Sequence, residues 1–425
     1  MDFFFTTKAL RTHSGTKGLI SVFSQWLFVF LVPQWYILIG MVALMPCLSC
    51  KQKDDKKDNG VVFPPDTVTV PYAWNKFCMG VDLSYVNEIE DYGGKYSDSG
   101  VQADPFRIMR EHGANVVRVR LWHRPEWVAL ITGGKMYSDL FDAEKTIRRA
   151  KEAGMAVNLD FHYSDTWADG GRQETPAAWA GLDLAVLKDS VYDYTLYVLN
   201  YLKGKGLTPE MVQVGNETNG GMLFPAGQVK NDNWLAFGEL LNAGIKAVRD
   251  FSAGSDIKPK VILHVAQLQH AVWWIDGVVK KGKVTGFDIL GISHYSKWST
   301  MNGMDQVTQV IRSISTAYGK QVMIVETAYP FTGGDADNYT NIMAPSDSVQ
   351  GYPLTVAGQT AYLQDLTQAV ISGGGTGLMY WEPAWITSSM KDKWGTGSSW
   401  DNCTLFDKMG NSLPAMIYMT KVYKF

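Results

Sequence analysis

From residue 77 onward, eight short apolar runs recur with a helix-length segment between each pair. They span 78–84, 116–122, 156–163, 211–217, 261–266, 289–295, 321–327 and 377–382. Between them lie amphipathic stretches such as 142–153, 184–203 and 234–249, with apolar residues at helical spacing. Short, continuously apolar strands suit burial on both faces, and strands alternating with helices pair in parallel. Eight such units predict a single α/β domain, a (β/α)8 TIM barrel, over residues 73–425. A doubly wound open sheet is the competing fold. No Gly-rich phosphate loop follows the first run, which counts against it.

The first fifty residues stand apart from this pattern. Lys8, Arg11 and Lys17 precede an apolar segment over about residues 19–48, long enough to span a bilayer as a retained anchor. Its end favours another reading. Leu48-Ser49-Cys50 followed at once by Lys51-Gln52-Lys53-Asp54-Asp55 resembles a bacterial lipoprotein signal, in which the cysteine is lipidated and becomes the mature N-terminus. The Lys-Asp-Asp run resembles the surface-export tag of Bacteroides-type lipoproteins. The expected organisation is a signal peptide over 1–49, lipidation at Cys50, and a solvated tether over 50–72, rich in charge and then in Pro, Asp and Thr. The expected location is the outer membrane or cell surface of a Gram-negative bacterium, with the chain lipid-anchored and monomeric. Only Cys78 and Cys403 remain in the mature domain, and two buried free thiols are expected.

In a barrel of this kind the active site lies at the C-terminal ends of the strands. Those ends read Asp82; Arg118 and Arg120; His162; Asn216 and Glu217; His264; His294 and Tyr295; Glu326; then Trp381 and Glu382. One polar residue at a strand end is unremarkable, but a polar or aromatic group at nearly every end marks a site. Two of the runs finish in glutamate, Gln213-Val214-Gly215-Asn216-Glu217 and Met323-Ile324-Val325-Glu326. Two carboxylates at the ends of two parallel strands are what glycoside hydrolysis requires, one as proton donor and one as nucleophile or base. Arg118 and Arg120 share one strand face and need carboxylate partners when buried. His162 reads as a sugar-hydroxyl ligand rather than a general base. A Ser-His-Asp site built on Ser84 or Ser164 lacks a nucleophile-elbow sequence. Glu382 is the rival carboxylate, yet its flanks, Tyr380-Trp381-Glu382-Pro383-Ala384-Trp385, read as an aromatic sugar platform, with Trp167 on the same face. The 15 Trp and 20 Tyr fit a protein that stacks aromatic rings on sugars, while 39 basic against 42 acidic residues give no electrostatic case for nucleic acid.

With these residues in place, the chain resembles the endo-β-1,4-galactanases of glycoside hydrolase family 53. The segments that carry the likeness are Gly80-Val81-Asp82-Leu83-Ser84, Asp160-Phe161-His162-Tyr163-Ser164-Asp165-Thr166-Trp167-Ala168-Asp169, residues 212–219, Leu263-His264-Val265-Ala266, Ile324-Val325-Glu326-Thr327 and residues 380–385. The resemblance implies Glu217 on strand four as acid/base, Glu326 on strand seven as nucleophile, and Asn216 as ligand of the sugar 2-hydroxyl. It implies retaining endo-hydrolysis of β-1,4-galactan side chains of pectin, with no cofactor for the chemistry. Two departures stand out: Gly170 where the family often has Pro, and His294 where it usually has Tyr.

Bacterial members that bind calcium do so in an Asp-rich loop, which here reads Asp335-Ala336-Asp337-Asn338-Tyr339-Thr340-Asn341. The expected ligands are Asp335, Asp337, the Tyr339 carbonyl and Asn341, an oxygen set suited to a hard cation. Two rival functions remain at this stage. A related barrel endo-glycanase on β-mannan or β-glucan would use the same two Glu. A non-catalytic surface glycan-binding lipoprotein would be expected to lack one of them.

Overall fold

Alternation of inward and outward side chains along eight parallel strands builds the molecule's centre. The computed structural model describes residues 72–425. The expected signal peptide, Cys50 and nearly all of the expected tether lie outside the described residues. The strands are β1 (Cys78–Asp82), β2 (Val116–Leu121), β3 (Ala156–Phe161), β4 (Met211–Val214), β5 (Lys260–Ala266), β6 (Ile289–Ser293), β7 (Gln321–Thr327) and β8 (Gly377–Tyr380). Each pairs in parallel with the next, and β8 closes on β1, so the predicted barrel is what the chain forms. The outer layer includes α1 (Val86–Asp91), α2 (Pro105–Glu111), α3 (Glu126–Thr132), α4 (Leu140–Glu152), α5 (Leu184–Gly204), α6 (Trp234–Ala253), α7 (Leu268–Asp276), α8 (Met304–Tyr318) and α9 (Val356–Ser372). Carboxylates at the N-caps of α2, α4 and α5 (Asp104, Asp139 and Asp183) accept otherwise unpaired backbone N–H groups, which fixes where these helices start. Among the described residues no helix is long and apolar enough to cross a membrane.

The barrel interior changes character along its axis. Near the N-terminal pole it is apolar, with Cys78, Val116, Ala156, Met211, Ile262, Ile289 and Met323 packed together and Trp74 laid against them. Two residues further along β2, β3, β4 and β5 the same inward face carries Arg118, Asn158, Gln213 and His264, all buried. The apolar plug contributes the burial, and the polar layer above it floors the site. Cys78 and Cys403 are free and buried. The described chain enters at the plugged pole: the Tyr72 carbonyl accepts from Asn115 Nδ2 just before β2, and the Tyr72 hydroxyl accepts from the Tyr423 amide.

Candidate active site

Neither glutamate reaches the site by simple strand alternation. On β7, Met323 and Val325 both face inward, so the next residue should face out. A register shift places Ser293 of β6 opposite Glu326, and this bulge turns the Glu326 side chain into the cleft. β4 ends at Val214, three residues earlier than the run in the sequence suggests, and Glu217 stands on the following turn. Its φ is 44°, a left-handed conformation that a residue with a Cβ adopts only when its surroundings hold it there. One carboxylate oxygen of Glu217, one of Glu326 and a ring nitrogen of His264 all lie within 4.8 Å of one another.

Glu326 is held by one ion pair and one hydrogen bond. Arg118 Nη2 is 2.8 Å from Oε1, and the Tyr295 hydroxyl donates to Oε2 at 3.0 Å. Arg118 also binds Asp82 through Nη1 (2.8 Å) and Asp160 through Nη2 (2.7 Å), and it donates to Asn216 Oδ1 (2.7 Å). Burial alone would raise Asp160, but Arg118 and then His162 bring it below the ordinary range. His162 Nδ1 accepts the Ala168 N–H at 3.2 Å, so its proton is on Nε2, 3.1 Å from Asp160 Oδ2.

Glu217 has a weaker donor, the Ser293 hydroxyl, 2.6 Å from Oε1. Behind it, His264 Nε2 is 2.8 Å from Ser293 Oγ. On the backbone side the buried Gln173 amide donates to the carbonyls of Asn216 (2.8 Å) and Glu217 (3.3 Å), docking the β3 loop onto this turn. Asn216 Nδ2 is fixed by the Ala168 carbonyl at 2.8 Å.

Burial raises both carboxyls, and the charge of Glu217 adds to the effect on Glu326 while Arg118 opposes it. A buried carboxyl and a half-buried one this close do not both ionise readily, so the pair keeps one proton towards neutral pH. The donors decide where it resides. A guanidinium and a phenol stabilise the anion of Glu326, whereas Glu217 receives one neutral hydroxyl. This arrangement favours the anion on Glu326 and the proton on Glu217.

Above the pair opens a cleft of about 440 Å³, lined by Arg118, Arg120, His162, Trp167, Asn216, Glu217, Tyr295, Glu326, Trp381 and Trp385 among others. Arg120 does not reach Glu326. Its guanidinium lies between Tyr85 (4.3 Å), Trp122 (4.7 Å) and Trp167 (4.3 Å) and faces Glu382 Oε1 at 3.4 Å, so it stiffens one aromatic wall. Trp298, Trp394 and Trp400 also line the cleft.

Four residues expected to touch sugar do not line it. Asp82 lies beneath Arg118 and accepts from Ser84. His264 lies beneath Asn216 and Ser293. Glu382 is fully buried under Arg120 and the Tyr85 amide. His294 is corrected by strand parity: Ser293 takes the inward position on β6, so His294 turns away. It is buried with no partner for either ring nitrogen among the described residues, and burial pushes it down to about 4. Sequence reasoning missed Gln213, Ser293 and Gln173, neutral residues that carry no signal of their own.

The Asp-rich loop after β7 closes on a residue the sequence did not suggest. Asn341 Nδ2 donates to Asp335 Oδ1 (2.8 Å) and to Asp401 Oδ1 (2.7 Å), while Asp337 accepts the Tyr339 and Ser398 amides. Burial raises Asp401, and the like charges of Asp337 and Asp335 add to it. Asn341 Oδ1 is buried without a hydrogen-bond partner. An orphaned amide oxygen beside mutually repelling carboxylates fits a hard cation, with Asp401 added to the expected set and Tyr339 contributing its carbonyl, since its hydroxyl is committed to Asp392.

The sequence profile of glycosyl hydrolase family 53 matches residues 78–419. The arabinogalactan endo-beta-1,4-galactanase of Cellvibrio japonicus is 42% identical over 353 residues, covering 82% of this chain and 92% of that protein. The endo-beta-1,4-galactanase of Bacillus subtilis is 34% identical over 379 residues, covering 80% and 84%. Among solved structures, the GH53 catalytic domain of Ignisphaera aggregans superposes with a TM-score of 0.75 at 35% identity, covering 84% of this chain and 98% of that one. A barrel with two paired glutamates in one aromatic cleft and this likeness agree: the chain is a glycoside hydrolase and belongs to glycosyl hydrolase family 53.

Proposed function

We propose that the protein is a retaining endo-β-1,4-galactanase in which Glu217 is the acid/base and Glu326 the nucleophile. The observation that carries the stereochemistry is the approach of the two carboxylates within 4.8 Å. Inverting enzymes hold theirs about 6.5–9.5 Å apart to admit a water, and retaining ones about 5–5.5 Å. The similarity to named galactanases supports the substrate.

Glu326, kept anionic by Arg118 and Tyr295, attacks the anomeric carbon while Glu217 protonates the departing glycosidic oxygen. The C–O bond to the leaving sugar breaks as the ester bond to Glu326 forms. Glu217, now ionised, takes a proton from water, whose oxygen displaces Glu326 at the same carbon and restores the β configuration. In this reading Asn216, bound to Arg118 and next to Glu217, is the ligand of the sugar 2-hydroxyl. Trp167 and Trp381, half-buried in the cleft lining, offer their rings to neighbouring sugars, while Trp385 is 2% exposed.

Reducing-sugar release from a panel of purified polysaccharides tests the reading. Galactan should be cleaved to shorter oligosaccharides. Release confined to β-mannan or β-glucan would transfer the same machinery to another substrate, and binding without release would leave a glycan-binding protein. The intact pair of Glu, each with its own donors, favours catalysis.

Structural calcium at the loop of Asp335, Asp337, Asn341 and Asp401 belongs to the same proposal, with no role in the chemistry. So do a lipid anchor at Cys50, a cell-surface location and a monomeric state; the first two rest on the Leu-Ser-Cys junction and the charged run after it.

A further inference from the structure

The backbone and side chain of Glu217 are joined by a closed ring of hydrogen bonds. The Glu217 amide donates to His264 Nδ1 at 3.1 Å, and the Gln213 side-chain amide lies 3.0 Å from the same nitrogen. Asn216 Oδ1 is also 3.0 Å from Nδ1, but it already accepts from Arg118 and Gln213. The Glu217 N–H aimed at Nδ1 makes it an acceptor, so the imidazole's single proton is on Nε2. Burial and then Arg118 hold His264 well below its ordinary range, which keeps the ring neutral. Nε2–H therefore donates to Ser293 Oγ at 2.8 Å. The serine's one hydrogen has Glu217 Oε1, at 2.6 Å, as its acceptor among the described residues. The ring begins and ends on one residue, and every donor in it is fixed by the donor before.

We infer that Ser293, oriented by His264, is a positioning residue for the acid/base, confining the transferable proton of Glu217 to Oε2 and holding the side chain in its left-handed turn. Oε1 accepts from Ser293 whether Glu217 is protonated or not, so it does not compete for the proton. In the first step the Oε2–H bond breaks as the proton passes to the leaving oxygen. In the second, Oε2 takes a proton from water. The inference rests on the acid/base role proposed for Glu217. The charged and titratable groups facing that carboxyl are Glu326 on β7, Arg118 on β2, Asp169 in the β3 loop, His264 on β5 and Tyr295 after β6. Of these, His264 alone shares a side-chain hydrogen bond with Ser293.

The test compares galactan, whose leaving group needs protonation, with a dinitrophenyl galactobioside, whose leaving group does not. In Ser293→Ala, kcat/KM on galactan should fall about tenfold or more while the aryl substrate changes less than about twofold. Loss of the donor removes stabilisation from the Glu217 anion, so the basic limb of the galactan pH profile should move up by about one unit. Ser293→Thr, which keeps the hydroxyl, should restore both. Equal losses on the two substrates with an unmoved basic limb would reduce Ser293 to a packing residue and overturn the inference. So would the absence of any loss. Ser293→Cys, close in size and a poor donor, carries the same expectations should the alanine variant fail to fold. The parent reading fails separately: Glu217→Ala losing both substrates equally would remove the acid/base assignment, whatever Ser293 does.

Discussion

Arg118 reaches Glu326 with the same Nη2 that binds Asp160, at 2.8 and 2.7 Å. One guanidinium thus couples Glu326 to the polar floor of the barrel, and its other terminal nitrogen adds Asp82 at 2.8 Å. Lysine offers a point charge and no planar fork, so it cannot meet three carboxylates at once. Arg118→Lys should lower kcat/KM on galactan by about a hundredfold or more, because a buried carboxylate left without its partner costs about 3–5 kcal/mol. The melting temperature should fall as well. A variant that keeps full rate would show that Tyr295 alone holds Glu326.

The two glutamates should leave different kinetic traces. Glu217→Ala should still form the glycosyl-enzyme from an activated aryl galactoside and then stall, with azide relieving the stall to give a β-azide. Glu326→Ala with azide should give the α-azide, since the anion enters from the vacated face. Both should lose on the order of a thousandfold on galactan, where acid–base assistance alone contributes about 10²–10⁴. The α-azide from Glu382→Ala instead would move the nucleophile to β8.

Stability should decline on the alkaline side for a reason outside the cleft. Glu88 on α1 is buried, its Oε1 has no hydrogen-bond partner among the described residues, and burial with Asp142 nearby pushes it up to about 8. The unfolded chain releases this proton near pH 4–5. Between there and pH 8 the folded state binds the extra proton, so stability falls as pH rises through that window. Glu88→Gln should melt several degrees above the parent at pH 8–9 and near it at pH 5, given about 2–4 °C per kcal/mol for large domains. Melting curves that differ equally at both pH values would mean that Glu88 is ionised in the fold.

Calcium should stabilise the loop after β7. Chelator should lower the melting temperature, added calcium should restore it, and Asp401→Asn should weaken the response by removing one of the converging charges. Identical melting with calcium and with chelator would leave the loop held by its hydrogen bonds through Asn341 and Asp337.

Cys50→Ser should release the protein from membranes into the soluble fraction. An anchored, unprocessed variant would make the apolar segment before Cys50 a transmembrane helix.

The barrel was legible because eight apolar runs alternate with helical periodicity, and the two carboxyls that meet in the cleft because two of those runs end in Glu. What the sequence could not show was direction. The β7 bulge that turns Glu326 inward has no residue signature, and a single step of strand parity separates Ser293, inside, from His294, outside. Glu382 was read as a sugar platform because it lies between Trp381 and Trp385, yet only those tryptophans reach the cleft. Asp401 is far from Asp335 in the chain and becomes its neighbour only through the fold. Glu88 looks like any helix-surface carboxylate until α4 covers it.

The anchoring of Tyr72 at the plugged pole has a mechanical consequence. Any pull applied through the chain ahead of it is borne by the Asn115 and Tyr423 contacts, at the far end of the barrel axis from the cleft. Load and catalysis are thereby separated. The cleft opens at the C-terminal ends of the strands, at the other pole of the barrel from Tyr72.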